Sequence, residues 1–201
     1  MDINLKMKFI SQPGVCSIDK DTIKLTESAI TFNKDRILDL GTGSGYCAIR
    51  LAKEGAKVDA VDISEDALRC ASINAKLNKV RIRLFYSDLF KNVKDKYGLI
   101  ISNPPTDAKD TPFKSRIKYF LRKSFLKDYL IYLSPYLFIK ERVCLINRII
   151  IEAKNNLNDE GILLLHLYER DVKRLKSRKI DIEKICDVYK TTGIFKISYK
   201  Y

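Results

Sequence analysis

The sequence has no run of about eighteen apolar residues, the length a helix needs to cross a bilayer. The longest candidate, Tyr129 to Ile139, is broken by Ser134 and Pro135. The opening MDINLKMKF has no apolar stretch of the kind a secretion signal carries. A cytoplasmic protein without a membrane partner is therefore expected. No two cysteines stand at CxxC spacing: Cys16, Cys47, Cys70, Cys144 and Cys186 form an odd, scattered set. That pattern argues against a disulfide framework and against a zinc site, so reduced thiols and no metal are expected. Repeats, low-complexity tracts and Gly/Ser linkers are also missing, which leaves nothing to divide the chain.

What remains is a chain of 201 residues with 46% hydrophobic content, enough for one α/β domain with a core. The balance of 38 Lys and Arg against 25 Asp and Glu gives a formal charge of +13. Such a charge favours nucleic acid or an acidic partner. It has a second source in composition, because Lys, Ile and Asn are abundant everywhere and Lys is spread along the chain. Charge alone does not name a substrate.

Short apolar runs ending in polar residues alternate with segments of helical spacing. The spacing predicts strands over 36–40, 58–62, 80–86, 98–102 and 162–167. Helices are predicted over 46–53, 65–77 and 142–156, with Ser64 capping the second and Gly161 following the third. The tail reads as strand, turn, strand: 182–189, Thr191-Thr192-Gly193, then 194–199. Alternation of this kind indicates an α/β fold, a Rossmann-like sheet of seven strands, mostly parallel, covered on both faces and closed by an antiparallel C-terminal hairpin. The expected organisation is an N-terminal lead over 1–35 and one domain over 36–201.

The glycine loop follows the first strand in LDLGTGSG. Gly41 and Gly43 allow a sharp turn and a close ligand approach, and Gly45 lets the next helix start near the strand. The third glycine arrives one residue too early for the dinucleotide pattern, and the G-K-[ST] ending of a phosphate loop is missing. Asp39, just before the loop, suits a cationic ligand better than a pyrophosphate. Asp62 ends the second strand, where an acid can take both ribose hydroxyls. Asp88 in YSDLF follows the third and could accept from an adenine amino group. Three glycines with acids in this order describe an adenosine with a positive tail, and S-adenosylmethionine fits.

LDLGTGSG, AVDIS, SDLF and SNPP together resemble the motifs of class I S-adenosylmethionine-dependent methyltransferases, and are most similar to the HemK/PrmC branch of N-methyltransferases. The resemblance covers about residues 20 to 167, and Asp21-Thr22 is similar to the Asp-Thr that leads into the short members. It implies an S-adenosylmethionine-dependent methyltransferase. It places cofactor contacts at Thr22, Asp39, Gly41, Thr42, Gly43, Gly45, Asp62, Ile63, Asp88, Leu89 and Asn103. Catalysis is implied at Asn103, Pro104 and Pro105.

The chemistry of SNPP supports that reading. An amide or exocyclic amine is a weak nucleophile because its lone pair is delocalised. The side-chain carbonyl of Asn103 and the backbone carbonyl of Pro104 are two acceptors able to orient such a nitrogen, and Pro105 keeps the second from bending back. No strong general base is required, which agrees with the lack of a histidine near the motif. A strand-ending turn is the structural alternative. One departure stands out: the family has an aromatic after NPP to stack on a planar target, and this chain has Thr106. Phe113 is the nearest substitute. Thr106 and Phe113 are thus the candidate substrate contacts.

Residues 107–141 break the alternation and interleave Lys and Arg with Phe and Tyr. They form an insert bordering the site, either a docking surface for substrate or an amphipathic helix packed on the sheet. His166, ending the LLLHL run, is expected to be structural with a satisfied hydrogen bond. The acceptor stays open among a glutamine amide in a release-factor-like protein, a base amine in RNA or DNA, and a small molecule. A cofactor-binding scaffold without chemistry is the remaining alternative. The resemblance also raises a small activating partner protein, on which short members of the family often rely.

Overall fold

The computed structural model describes residues 7–12, 15, 17–104, 127–175 and 180–200, and of residues 127–141 the backbone alone. Its strands are β1 (Arg36–Leu40), β2 (Lys57–Asp62), β3 (Arg83–Tyr86), β4 (Tyr97–Ser102), β5 (Leu157–Tyr168), β6 (Ile180–Tyr189) and β7 (Thr192–Tyr199). They form one sheet in the order β3-β2-β1-β4-β5-β7-β6. The first five pair in parallel, and β7 runs antiparallel between β5 and β6. This is the doubly wound, hairpin-closed sheet that the sequence predicts. The chain order reverses between β1 and β4, which opens a crevice at the C-terminal ends of those two strands.

Helices α1 (Lys20–Thr31), α2 (Tyr46–Lys53) and α3 (Glu65–Leu77) precede the long α4 (Lys127–Asn156) and the short α5 (Glu169–Leu175). One face of the sheet is packed by Leu25 and Ala29 of α1 and Cys47, Ala48 and Leu51 of α2, against Ile37, Val58, Ala60, Leu99, Ile101 and Leu164. The other is packed by Ile146, Ile149, Ile150 and Ala153 of α4 against Leu38, Leu40, Ile100, Leu163 and Leu165. The central strands are thus apolar on both faces, as parallel strands between helical layers must be. No helix among the described residues is long and apolar enough to cross a membrane.

The expected lead over 1–35 contains a helix. Asp19 caps α1 by accepting from the Thr22 backbone N–H at 2.8 Å, and α1 then lies over the sheet. Ahead of it, the backbone of Lys8 and Ile10 is gripped by Asn74 of α3 and by Asn78, the residue that caps its C-terminus. Asn78 receives the Lys8 N–H at 3.1 Å and returns its own amide N–H to the Lys8 carbonyl at 2.7 Å. Asn74 does the same for Ile10 at 2.8 and 3.2 Å. Partners four apart on a helix match residues two apart on an extended chain, because both spacings are about 6–7 Å. α3 buries small or polar residues (Ala67, Cys70, Ala71, Asn74 and Ala75), whereas Leu77 is exposed.

Other boundaries moved. β3 begins at Arg83, not at Val80. α4 begins at Lys127, so the end of the expected insert is helical; the rest of the insert lies outside the described residues. β5 starts at Leu157 with a register shift before Leu99↔Ile162, and Gly161 sits in that irregularity. A Cβ there would lie 2.8 Å from the Leu157 Cβ and 2.9 Å from the Asn158 backbone.

The crevice at the strand ends

The loop after β1 holds three glycines in the left-handed region: Gly41 (φ 78°), Gly43 (φ 54°) and Gly45 (φ 82°). They do different work. A Cβ on Gly41 or Gly43 would meet nothing within 4 Å, so this side of the loop opens onto free space a ligand can use. A Cβ on Gly45 would stand 2.9 Å from the Ala71 Cβ, so that glycine lets α3 pass close to the start of α2.

Backbone and acids hold the loop in place. The N–H groups of Gly41 and Thr42 both donate to the Val61 carbonyl at 2.9 Å. Asp39 is buried, and its Oδ2 accepts from the Thr42 hydroxyl at 2.7 Å and the Ala48 N–H at 3.2 Å. Burial pushes its pKa up to about 6, against the lowering effect of those two bonds, and the nearby Asp62 charge adds to the rise. Asp62 accepts the Gly43 N–H at 2.9 Å on Oδ2 and the Ser64 N–H at 2.9 Å on Oδ1. An ionised carboxylate has about four lone-pair sites, so Asp62 keeps capacity for two more donors.

Ile63, next to Asp62, is an exposed apolar side chain at 57% accessibility. Beyond β3, Asp88 is half-exposed, with Arg148 of α4 at 3.9 Å. Leu89 adopts φ 50°, and Ser87 braces this turn by donating to the Leu89 carbonyl at 2.6 Å. Thus Asp39, Thr42, Gly41, Gly43, Gly45, Asp62, Ile63, Asp88 and Leu89 all lie at the C-terminal ends of β1, β2 and β3.

Asn103 follows β4 on the opposite side of the switch point. Ser102 ties the two sides together, its hydroxyl donating to the Leu40 carbonyl at 2.7 Å. Side chains alternate along a strand, so Asn103 continues the row Leu99, Ile101 toward α1, and His166 continues the row Leu164 toward the same helix. Ser102 pairs with Leu165, which sets Asn103 beside His166. The Asn103 amide donates through Nδ2 to the Thr22 hydroxyl at 3.1 Å. Its Oδ1 lies 3.0 Å from His166 Nδ1. The far ring nitrogen, Nε2, is 3.6 Å from Asp21 Oδ2. Pro104 is buried. Pro105, Thr106 and Phe113 lie outside the described residues.

The expectation that no histidine stands near the SNPP motif is corrected here, because His166 touches Asn103. Sequence distance hid the contact: 63 residues separate the two, and only the β4–β5 pairing joins them. His166 is fully buried, and burial lowers its pKa to about 4, so the ring is neutral at pH 7. Thr22 gains a described partner too, bridging the α1 cap and the end of β4. Asp19 had no role in the sequence reading. Its signal was available in Asp19-x-x-Thr22, a capping spacing.

Comparisons with known proteins bear on this crevice. The family model "Methyltransferase small domain" matches residues 6–127. A Methanocaldococcus jannaschii protein with the provisional name protein N5-glutamine methyltransferase is 40% identical over 102 residues, half of this chain and 51% of that protein. The release factor glutamine methyltransferase of Lactococcus lactis is 34% identical over 155 residues, 73% of this chain and 53% of that one. The chain thus spans about half the length of these curated relatives. Among solved structures, the ribosomal protein L11 methylase of Lactobacillus delbrueckii shares the fold, with a TM-score of 0.62 at 22% identity over 94% of this chain and 84% of that one. The family match covers the glycine loop, Asp39, Asp62, Asp88 and the SNPP motif, and the chain belongs to the methyltransferase small domain family.

Proposed function

We propose that this chain transfers a methyl group from S-adenosylmethionine to the side-chain amide nitrogen of a glutamine in a protein substrate. The carrying observation is Asn103, held from two sides at the tip of β4 directly across the switch point from the glycine loop. In this reading the domain spans 36–201, with residues 1–35 as its lead. Asp62 takes the ribose hydroxyls, Gly41 and Gly43 admit the ligand to the backbone, and Asp88, Ile63 and Leu89 flank the adenine. Thr22, Thr42 and Gly45 shape the pocket around the methionine part, and the buried Asp39 faces its positive charge.

The residues present fit this cofactor. Two left-handed glycines open onto unfilled space. Asp39 has no salt bridge among the described residues, and its raised pKa marks a carboxylate that a cation would relieve. When bound, the cofactor supplies an electrophilic methyl carbon on a sulfonium. The chain's own part is to place the acceptor. Asn103 Oδ1 has a second lone pair, and the Pro104 carbonyl is the other acceptor. Two N–H groups held there turn the nitrogen lone pair toward the methyl. Orientation of this kind is worth roughly 7–11 kcal/mol of barrier. The sequence assigns Pro105 to the turn and Thr106 and Phe113 to the acceptor, and all three lie outside the described residues. The names of the relatives favour a glutamine amide over a base amine or a small molecule.

Further proposals attach to the surface. Among the described residues β3 is an edge strand, exposed Tyr86 lies on it, and exposed Leu77 and Ile73 lie on the neighbouring α3. A small activating partner can sit along this edge of the sheet. The setting is cytoplasmic. The direct test is tritiated-methyl labelling of cell extract, together with a Gly-Gly-Gln peptide. Label in the peptide and in a protease-sensitive fraction supports the reading. Label only in a nuclease-sensitive fraction moves the acceptor to a base amine, and no label anywhere removes the activity.

The pH dependence follows from Asp39. Its free-protein pKa of about 6 stands above the usual carboxylate value, and a cationic ligand favours the ionised form. Affinity should be full above pH 6 and fall as pH drops below it, by at most about tenfold per pH unit. The same shift makes the unliganded protein lose stability as pH rises from about 4 to 6. Asp39→Asn should flatten the calorimetric affinity profile between pH 5 and 7, while lowering the affinity at neutral pH.

A further inference from the structure

We propose that His166 is a positioning residue for methyl transfer: a proton carried on its Nδ1 fixes which end of the Asn103 amide faces the acceptor. This rests on the reading above, in which Asn103 orients the acceptor nitrogen. The direction of each hydrogen bond follows from the one before it. Asp19 Oδ1 receives both the Thr22 N–H and the Thr22 hydroxyl, each at 2.8 Å. An ionised carboxylate only accepts, so the hydroxyl spends its single proton there. Thr22 Oγ1 must then accept from Asn103, and only Nδ2 can donate. Oδ1 is thereby turned to His166 Nδ1 at 3.0 Å. Two acceptors at that separation would repel, so Nδ1 brings the proton.

One influence opposes this tautomer. A proton on Nε2 would point toward Asp21 Oδ2, but that separation is 3.6 Å, beyond a hydrogen bond. The bond to Asn103 is within range, and it is backed by the Thr22 and Asp19 links behind it. Burial keeps the ring neutral at pH 7, so one nitrogen carries the proton and the chain of bonds selects Nδ1. The consequence is functional. If the Asn103 amide were reversed, an N–H group would face the acceptor's own N–H groups, and no amide could be oriented there.

The chain has one histidine, so nitrogen-15 labelling of histidine yields a single pair of ring nitrogens. In the intact protein at pH 7, a directly bonded proton on Nδ1 is the expected result. A proton on Nε2 alone overturns the proposal. This readout is made on the wild-type chain and does not depend on turnover, so a failure to find any methyl acceptor leaves it intact. Two variants supply the kinetic arm. His166→Asn keeps an N–H donor near the place of Nδ1, and its kcat should stay within about tenfold of wild type. His166→Leu should lose on the order of 100-fold in kcat, with adenosylhomocysteine affinity unchanged. Wild-type kcat in His166→Leu would overturn the proposal.

Discussion

Asn103→Ala should lower kcat for methyl transfer by about 100- to 1,000-fold, the range seen when one preorganised polar group is removed from a reacting centre. Affinity for S-adenosylmethionine should change by less than about tenfold, because the loop, Asp39 and Asp62 are untouched. Truncation deletes the side-chain acceptor and leaves the Thr22 hydroxyl and His166 Nδ1 facing each other across a gap. Both lose a described partner. His166 is buried and its Nδ1 loses its described partner, at a cost of about 1–3 kcal/mol, so the variant should also melt earlier. Single-turnover transfer with calorimetric cofactor binding separates the two effects. Wild-type kcat in this variant would remove Asn103 from the chemistry.

Asp171→Ala should be the most destabilising single change, by about 3–5 kcal/mol, the usual cost of breaking a buried ion pair from one side. Arg142 and Asp171 have side-chain accessibilities of 2% and 1%, and their closest approach is 2.8 Å. The Arg142 guanidinium also stands 4.8 Å from the Tyr168 ring, with Arg170 at 4.6 Å from the same ring. The pair fastens α4 to α5 just past the end of β5. Replacing both charges with apolar residues of similar volume should recover most of the loss, since burying two ions carries its own desolvation cost. Denaturant melts of the single and double variants check this. A single variant as stable as wild type would contradict the buried pairing.

The glycine loop and the strands around it were legible because each signal is local. RILDL and GTGSG state their own structure, and Asp39 and Asp62 follow from their place at strand ends. The pairing of Asn103 with His166 was not local. It needs the strand order, which places β5 beside β4 and is written in no single segment. Helix α1 was hidden for another reason. Its buried face includes Thr26 and Ser28, which read as a solvent face until their partners are known. Those partners are Cys47 at 3.1 Å and Cys186 at 3.5 Å. Asp171 had no motif around it, because an ion pair between distant segments leaves no periodic trace. The same holds for Asn74 and Asn78, whose targets are backbone atoms more than sixty residues away.

The measurement that reaches the centre of this reading is a crystal structure of the chain with adenosylhomocysteine. The ribose hydroxyls should lie within hydrogen-bond reach of Asp62, and the sulfur should face the gap bounded by Asn103 Oδ1 and the Pro104 carbonyl. A ligand seated elsewhere, or an Asn103 amide turned so that neither oxygen borders the sulfur, would contradict it.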